Sequence, residues 1–82
     1  MPEIARFLGI VISMYWNDHD PPHVHIFYQG KKGKVDFHGN VTSGKFHPHT
    51  VEAVRVWLIK NQVELAENWK RAKENKPLKK IL

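Results

Sequence analysis

The hydrophobic period of this sequence changes once, near Pro48, and that change restricts the fold to a sheet followed by helix. Before it, apolar residues recur at every second position, the repeat of a β-strand. Leu8, Ile10, Ile12, Met14 and Trp16 alternate with Phe7, Gly9, Val11, Ser13 and Tyr15, so this stretch is expected to be one central strand with both faces partly apolar. Asn17 to Pro22 has the composition of a turn, and its two prolines prevent a helix from continuing. The alternation resumes with Val24, Ile26 and Tyr28 on one side and His23, His25 and Phe27 on the other. Gly30-Lys31-Lys32-Gly33 reads as a hairpin loop, followed by Val35 and Phe37. Pairing Gln29 with Lys34 keeps Tyr28 opposite Val35 and Ile26 opposite Phe37, and it sets His25 opposite His38. A weaker strand is expected around Val41.

After Pro48 the repeat lengthens. Val51, Val54, Leu58, Leu65, Trp69 and Ala72 recur at three- and four-residue steps, which predicts an amphipathic helix from about Thr50 to Asn75. Pro48 suits the helix entry, and Thr50 is expected to cap it. An unbroken helix of that length would run about 39 Å at 1.5 Å per residue. That is generous for a chain of 82 residues, so a break near Asn61 is the alternative. Trp57 and Trp69 are expected to pack. Pro77 ends the helix, and Leu78, Ile81 and Leu82 form an apolar tail suited to docking on the sheet.

The expected fold is therefore α+β: a small antiparallel sheet of three or four strands packed against one long or two shorter C-terminal helices. It is read as a single domain over 1–82, with the sheet over about 4–46, the helical part over about 48–75, and a basic and apolar tail over 76–82. A chain of this size holds one small core and excludes the long cofactor-binding folds. It contains no cysteine, which removes disulfides and thiolate zinc sites as sources of stability. The longest apolar run, Phe7 to Trp16, is about half of the roughly 20 residues that a membrane-spanning helix needs. The start Met1-Pro2-Glu3 lacks the layout of a signal peptide, so a cytoplasmic protein with no membrane partner is expected.

Thirteen Lys and Arg against eight Asp and Glu give a net charge of +5, to which six histidines add a titratable reserve. The excess falls on the expected hairpin, at Lys31, Lys32 and Lys34, and on the C-terminal end. It fits either a polyanion partner or a solubilising surface.

The segment Asn17-Asp18-His19-Asp20-Pro21-Pro22-His23-Val24-His25 holds the densest chemistry. Imidazole titrates near pH 6.5 and both donates and accepts protons at neutral pH. The leading reading is metal-independent RNA cleavage. His23 and His25 act as acid and base, His19 and Asp18 orient or assist, and Arg6, Lys31, Lys32 and Lys34 hold phosphate. Tyr15, Trp16, Phe27 and Tyr28 either stack on bases or belong to the core. A second reading needs no catalysis: a binding module for DNA or protein, although no helix-turn-helix spacing is present. In a third, His23 and His25 on one strand and His38 across the ladder ligate a divalent metal such as zinc, with His47-Pro48-His49 as a rival pair. A plain polar turn followed by a solvated strand face also accounts for the segment.

Ile4-Ala5-Arg6-Phe7-Leu8-Gly9-Ile10, Met14-Tyr15, Asn17-Asp18-His19, Pro21-Pro22-His23-Val24-His25, Trp57, Glu64-Leu65 and Asn68-Trp69 together resemble the small bacterial family called domain of unknown function 4160. The resemblance spans nearly the whole chain, and Pro-Pro-His-x-His is its most specific element. It implies a protein encoded beside another small protein, in pairs proposed from gene context as toxin-antitoxin modules. A cognate small-protein partner and a homodimer or hetero-oligomer follow as expectations. It assigns neither the toxin nor the antitoxin role and implies no cofactor. Asn17, Asp18, His19, Pro21, Pro22, His23 and His25 match motif positions. His38 and the His47-Pro48-His49 pair do not, since the family shows Gly-x-Leu-Pro where Gly44 to Pro48 stand here.

Overall fold

The stretch expected as one strand folds back on itself at Leu8-Gly9. In a computed structural model describing residues 2–81, it forms β1 (Glu3–Phe7) and β2 (Ile10–Ser13). Leu8 and Gly9 both have positive φ, 51° and 77°, as a two-residue turn matched to strand twist requires. Then come β3 (His23–Tyr28), β4 (Lys31–Asp36), β5 (Val41–Ser43), α1 (Pro48–Lys60) and α2 (Gln62–Lys73). The strands form one antiparallel sheet in sequence order, β1-β2-β3-β4-β5. The fold class is thus α+β, with five strands where three or four were expected.

The β3–β4 hairpin corrects the expected register. Its loop is Gln29-Gly30, again with two positive φ values of 50° and 79°, rather than Gly30 to Gly33. Lys34 consequently stands opposite His25 instead of Gln29, a slip of four residues, and Val24 faces Val35. The expected His25–His38 pair does not form, because His38 lies beyond β4 in the turn that leads to β5.

One face of the sheet, carrying Ile10, Ile12, Met14, Val24, Ile26 and Val35, packs against Val54, Leu58, Leu65 and Ala72 of the helices. Burial of each such Val, Leu, Ile or Met contributes roughly 1.5–3 kcal/mol. The helical segment breaks at Asn61, whose φ of −117° interrupts the helix and whose Nδ2 donates to Trp57 O at 2.9 Å. His47, not Thr50, caps α1: its Nδ1 accepts from the His49 backbone N–H at 3.1 Å, and Pro48 takes the first helical position.

The tail docks on the edge of β1. Ile81 N donates to Ile4 O at 2.7 Å, and the Ile81 side chain is buried. Asn68 of α2 clamps Lys79 from both sides, donating to its carbonyl at 2.8 Å and accepting from its amide at 2.9 Å. Leu82, the last residue of the expected apolar tail, lies outside the described residues. Among the described residues, no helix is long and apolar enough to cross a membrane.

Candidate functional site

Strand parity decides which side chains share a surface. Opposite the helix-packed face, the ladders align two rows: Arg6–Val11–Phe27–Lys32, and Ser13–His25–Lys34–Ser43. Lys32 and Lys34 therefore share a face with His25. Lys31, paired with Tyr28, has the opposite parity, and so the three lysines expected to act together are split. Arg6 lies at the far edge with its guanidinium on Glu3, at 2.8 and 3.2 Å.

The loop over residues 17–22 enters β3 from the end of α2. Asn17 has φ of 56°, donates its amide to Ala72 O at 3.3 Å, and reaches Asn75 Oδ1 through Nδ2 at 3.1 Å. Trp16 Nε1 donates to Lys76 O at 2.8 Å, and Lys73 Nζ to Asp18 O at 2.6 Å. These contacts cross more than fifty residues of sequence and set the position of Asp18.

Asp18, His23 and His25 converge there. Asp18 Oδ2 stands 2.9 Å from His23 Nε2 and 3.0 Å from His25 Nε2, while Oδ1 accepts the His19 backbone N–H at 3.0 Å. His23 is 5% exposed; its other nitrogen, Nδ1, lies 2.8 Å from Pro21 O, and Trp69 of α2 flanks the ring at 5.4 Å. His25 is half-buried against Tyr15, the two rings nearly perpendicular with centroids 4.5 Å apart. Burial alone would raise the Asp18 carboxyl, but the His25 hydrogen bond, the His19 amide and the charges of His23 and His25 outweigh it, lowering it to about 2. Asp18 is therefore a carboxylate at neutral pH.

The remaining expected site residues fall outside this cluster. The His19 side chain is 82% exposed, its Nδ1 3.4 Å from Asp18 Oδ1, so its main chain does more of the local work than its ring. His38 lies in the turn closed by Asp36, whose Oδ1 accepts the amides of His38 and Asn40, each at 2.9 Å. His38 is thus replaced by Asp18 as the third group beside His23 and His25, because the true hairpin register carries it past the strand end. The His47–His49 pair sits at the start of α1, where His47 serves as cap.

Beside the cluster, a cleft of about 220 Å³ is lined by His19, Pro21, His23, Lys34, Thr42 and Ser43. A larger one of about 440 Å³, between β1, Trp57 and the tail, contains no member of the cluster. Sequence reasoning passed over Tyr15 and Trp69 as neighbours of the histidines. Tyr15 had a readable signal, since it shares parity with Ser13. Trp69 did not, because its place in an apolar stripe marks any packing residue.

A profile of the family described as "Domain of unknown function (DUF4160)" matches residues 9–70, and the chain belongs to that family. The matched span holds Asp18, His23, His25, Lys32 and Lys34, whereas Arg6 and the docked tail lie outside it. No curated protein and no solved structure matches the chain significantly.

Proposed function

We propose that this member of the DUF4160 family binds single-stranded RNA on the open face of its sheet and cleaves it beside Asp18, His23 and His25. The observation that carries this reading is the row Ser13–His25–Lys34–Ser43, in which an imidazole of the cluster stands next to a cation suited to phosphate. Lys32 extends the positive charge into the adjacent row, which ends at Arg6 already paired with Glu3, and Phe27 between them offers a ring for base stacking. Cleavage by the neighbouring 2′-hydroxyl needs its proton removed, the charge at phosphorus stabilised, and the departing 5′-oxygen protonated. Two free imidazoles do not supply this pair, because both ring nitrogens of His23 are engaged. His25, oriented by Asp18 through Nε2 at 3.0 Å, takes the 2′-hydroxyl proton, and solvent water gives one to the departing 5′-oxygen.

The test is titration of a labelled single-stranded RNA at several salt concentrations, followed through to cleavage products. Each lost phosphate contact lowers the salt slope of log K by about 0.7 for a single strand. Lys32→Ala/Lys34→Ala is expected to reduce the slope by about 1.4 on that scale, and His25→Ala to abolish cleavage while binding persists. Absence of binding at low salt, or an unchanged slope in the double variant, refutes the reading.

A second reading, a partner-binding member of a toxin-antitoxin-like pair, is favoured by a separate surface. Val56, Ile59 and Val63 are 56%, 66% and 80% exposed along the helices, and Leu8 at the first hairpin tip is 79% exposed. Such apolar side chains suit a protein interface. This reading predicts co-purification with the neighbouring small protein, lost in Ile59→Lys, and no RNA cleavage.

A further inference from the structure

We infer that Asp18 Oδ2, His23 Nε2 and His25 Nε2 form a binding site for one divalent transition-metal ion, with zinc as the reference case. The inference begins from the protons on His23. Pro21 O can only accept, so the facing Nδ1, 2.8 Å away, carries the hydrogen. A neutral imidazole has one N–H, which leaves a lone pair on Nε2. That lone pair points at Asp18 Oδ2, 2.9 Å away, which is itself an acceptor. Two acceptors at this distance require a proton or a metal ion between them.

The His23 side chain is 6% exposed, so an imidazolium there gives up most of its water and relies on the Asp18 carboxylate beside it, whereas an ion would draw on all three donors at once. A bound cation leaves both rings neutral and uses the same lone pairs. The Nδ1–H bond to Pro21 O is then the outer contact that fixes the tautomer and aims Nε2 inward, as ligating histidines require. Tyr15, nearly perpendicular to His25, and Trp69 beside His23 restrict the rings further.

The donor set and geometry agree with this solution. One ligand atom from each of the three residues lies within 4.8 Å of the others. Around a tetrahedral ion with bonds of 2.0–2.1 Å, neighbouring donors stand about 3.3 Å apart. The Oδ2 distances of 2.9 and 3.0 Å need an opening of only a few tenths of an ångström, and the third edge, between the two rings, lies within 4.8 Å. Two imidazoles and one carboxylate suit zinc and its neighbours, and three protein ligands leave a position free. The adjoining cleft, with Lys34, Thr42 and Ser43, is where that position would meet a water or an anionic group. The site does not depend on the RNA reading. If both hold, metal-bound water supplies the base that His23 cannot.

The experiment titrates zinc chloride into protein stripped with EDTA and desalted, followed by calorimetry, and repeats it with cobalt chloride followed by visible absorption. Wild type is expected to bind one equivalent, with the absorption of tetrahedral cobalt. Asp18→Asn and His25→Ala, chosen because neither removes the buried His23 ring, are expected to weaken binding at least about tenfold. His38→Ala and His47→Ala/His49→Ala are expected to bind as wild type, with circular dichroism confirming that every variant is folded. No binding by wild type at tens of micromolar metal overturns the inference. So does binding that survives Asp18→Asn and His25→Ala, or binding lost in His47→Ala/His49→Ala. Because no RNA is present, failure here is distinct from failure of RNA cleavage.

Discussion

Replacing Asn68 with alanine should destabilise the protein far more than any exposed substitution on the same helix. Asn68 is 1% exposed, and its carboxamide makes both of its bonds to Lys79, at 2.8 and 2.9 Å. Each neutral hydrogen bond of this kind contributes about 0.5–1.5 kcal/mol net. Lys79 itself is exposed, so water can solvate the amide and carbonyl that are left behind. The larger consequence is indirect, since Asn68 holds the tail whose Ile81 amide pairs with Ile4 and whose side chain is 7% exposed. Partial loss of Ile81 burial adds a fraction of about 1.5–3 kcal/mol. The total is about 2–4 kcal/mol, which for a domain this size lowers Tm by roughly 10–25 °C. Urea unfolding followed by circular dichroism measures it, with Glu67→Ala as comparator. Glu67 pairs with Arg71 at the surface and should cost only a few tenths of a kcal/mol. Because the amide acts through the tail, Asn68→Ala and Ile81→Ala should be less than additive in a double-mutant cycle. A loss of under about 0.5 kcal/mol for Asn68→Ala, or full additivity with Ile81→Ala, refutes the reasoning.

Three further outcomes follow from other contacts. Gly33→Ala would place a methyl group 2.6 Å from Ser43 O and against the Phe46 ring, so a loss of about 1–3 kcal/mol in thermal unfolding is expected; an unchanged Tm would mean Phe46 does not cover this position. Burial raises the Asp36 carboxyl, but the Asn40 amide and side chain, the His38 amide and the His38 charge lower it below its ordinary value. Its contribution is therefore present above the unfolded pKa of about 3.9 and is lost as pH falls through the lower folded pKa. The stability gap between wild type and Asp36→Asn should accordingly shrink below about pH 4, and a constant gap on acid titration would contradict it. Trp16→Phe removes the bond to Lys76 O and should cost about 1 kcal/mol; amide exchange of Asn17, bound to Ala72, should accelerate with it.

The α+β class, the strand near Val41 and the break at Asn61 were legible because each rests on local pattern. The hairpin at Leu8-Gly9 was not, for a physical reason. A two-residue turn shifts strand parity, so Ala5 and Phe7 join the face of Ile10 and Ile12 while Arg6 joins that of Val11. With apolar residues in both phases from Phe7 to Tyr15, the shift leaves no mark on hydrophobicity. The glycine inside the run was the available signal. The β3–β4 register failed for a complementary reason: a slip of four residues is even, so Val24 and Ile26 stay on the buried face in either register. Only turn chemistry separates the alternatives. The left-handed pair Gln29-Gly30 closes a tight hairpin, whereas the loop Gly30 to Gly33 leaves lysines at its tip.

The same distinction decides which parts of the candidate site depend on long-range structure. Asp18, His23 and His25 lie within eight residues, and the loop that turns Asp18 back onto β3 needs no ladder partner. Their convergence is therefore indifferent to how β4 pairs. The phosphate-holding groups are register-dependent: Lys34 reaches the cluster only because it stands opposite His25, and Lys31 is turned away by parity. His38 was drawn to the cluster by the wrong register and leaves it in the right one. What local sequence did not contain is the sharing of one oxygen by two imidazoles, which needs Asp18 held by α2 through Lys73 and, at Asn17, through Ala72. Loosening that end of α2, as in Lys73→Ala, should separate the two kinds of group. Lys32 and Lys34 would keep their place on the sheet, while metal affinity at Asp18 falls. If metal affinity and the RNA salt slope instead fall together, the cluster and the basic row form one cooperative unit, and the separation argued from register is wrong.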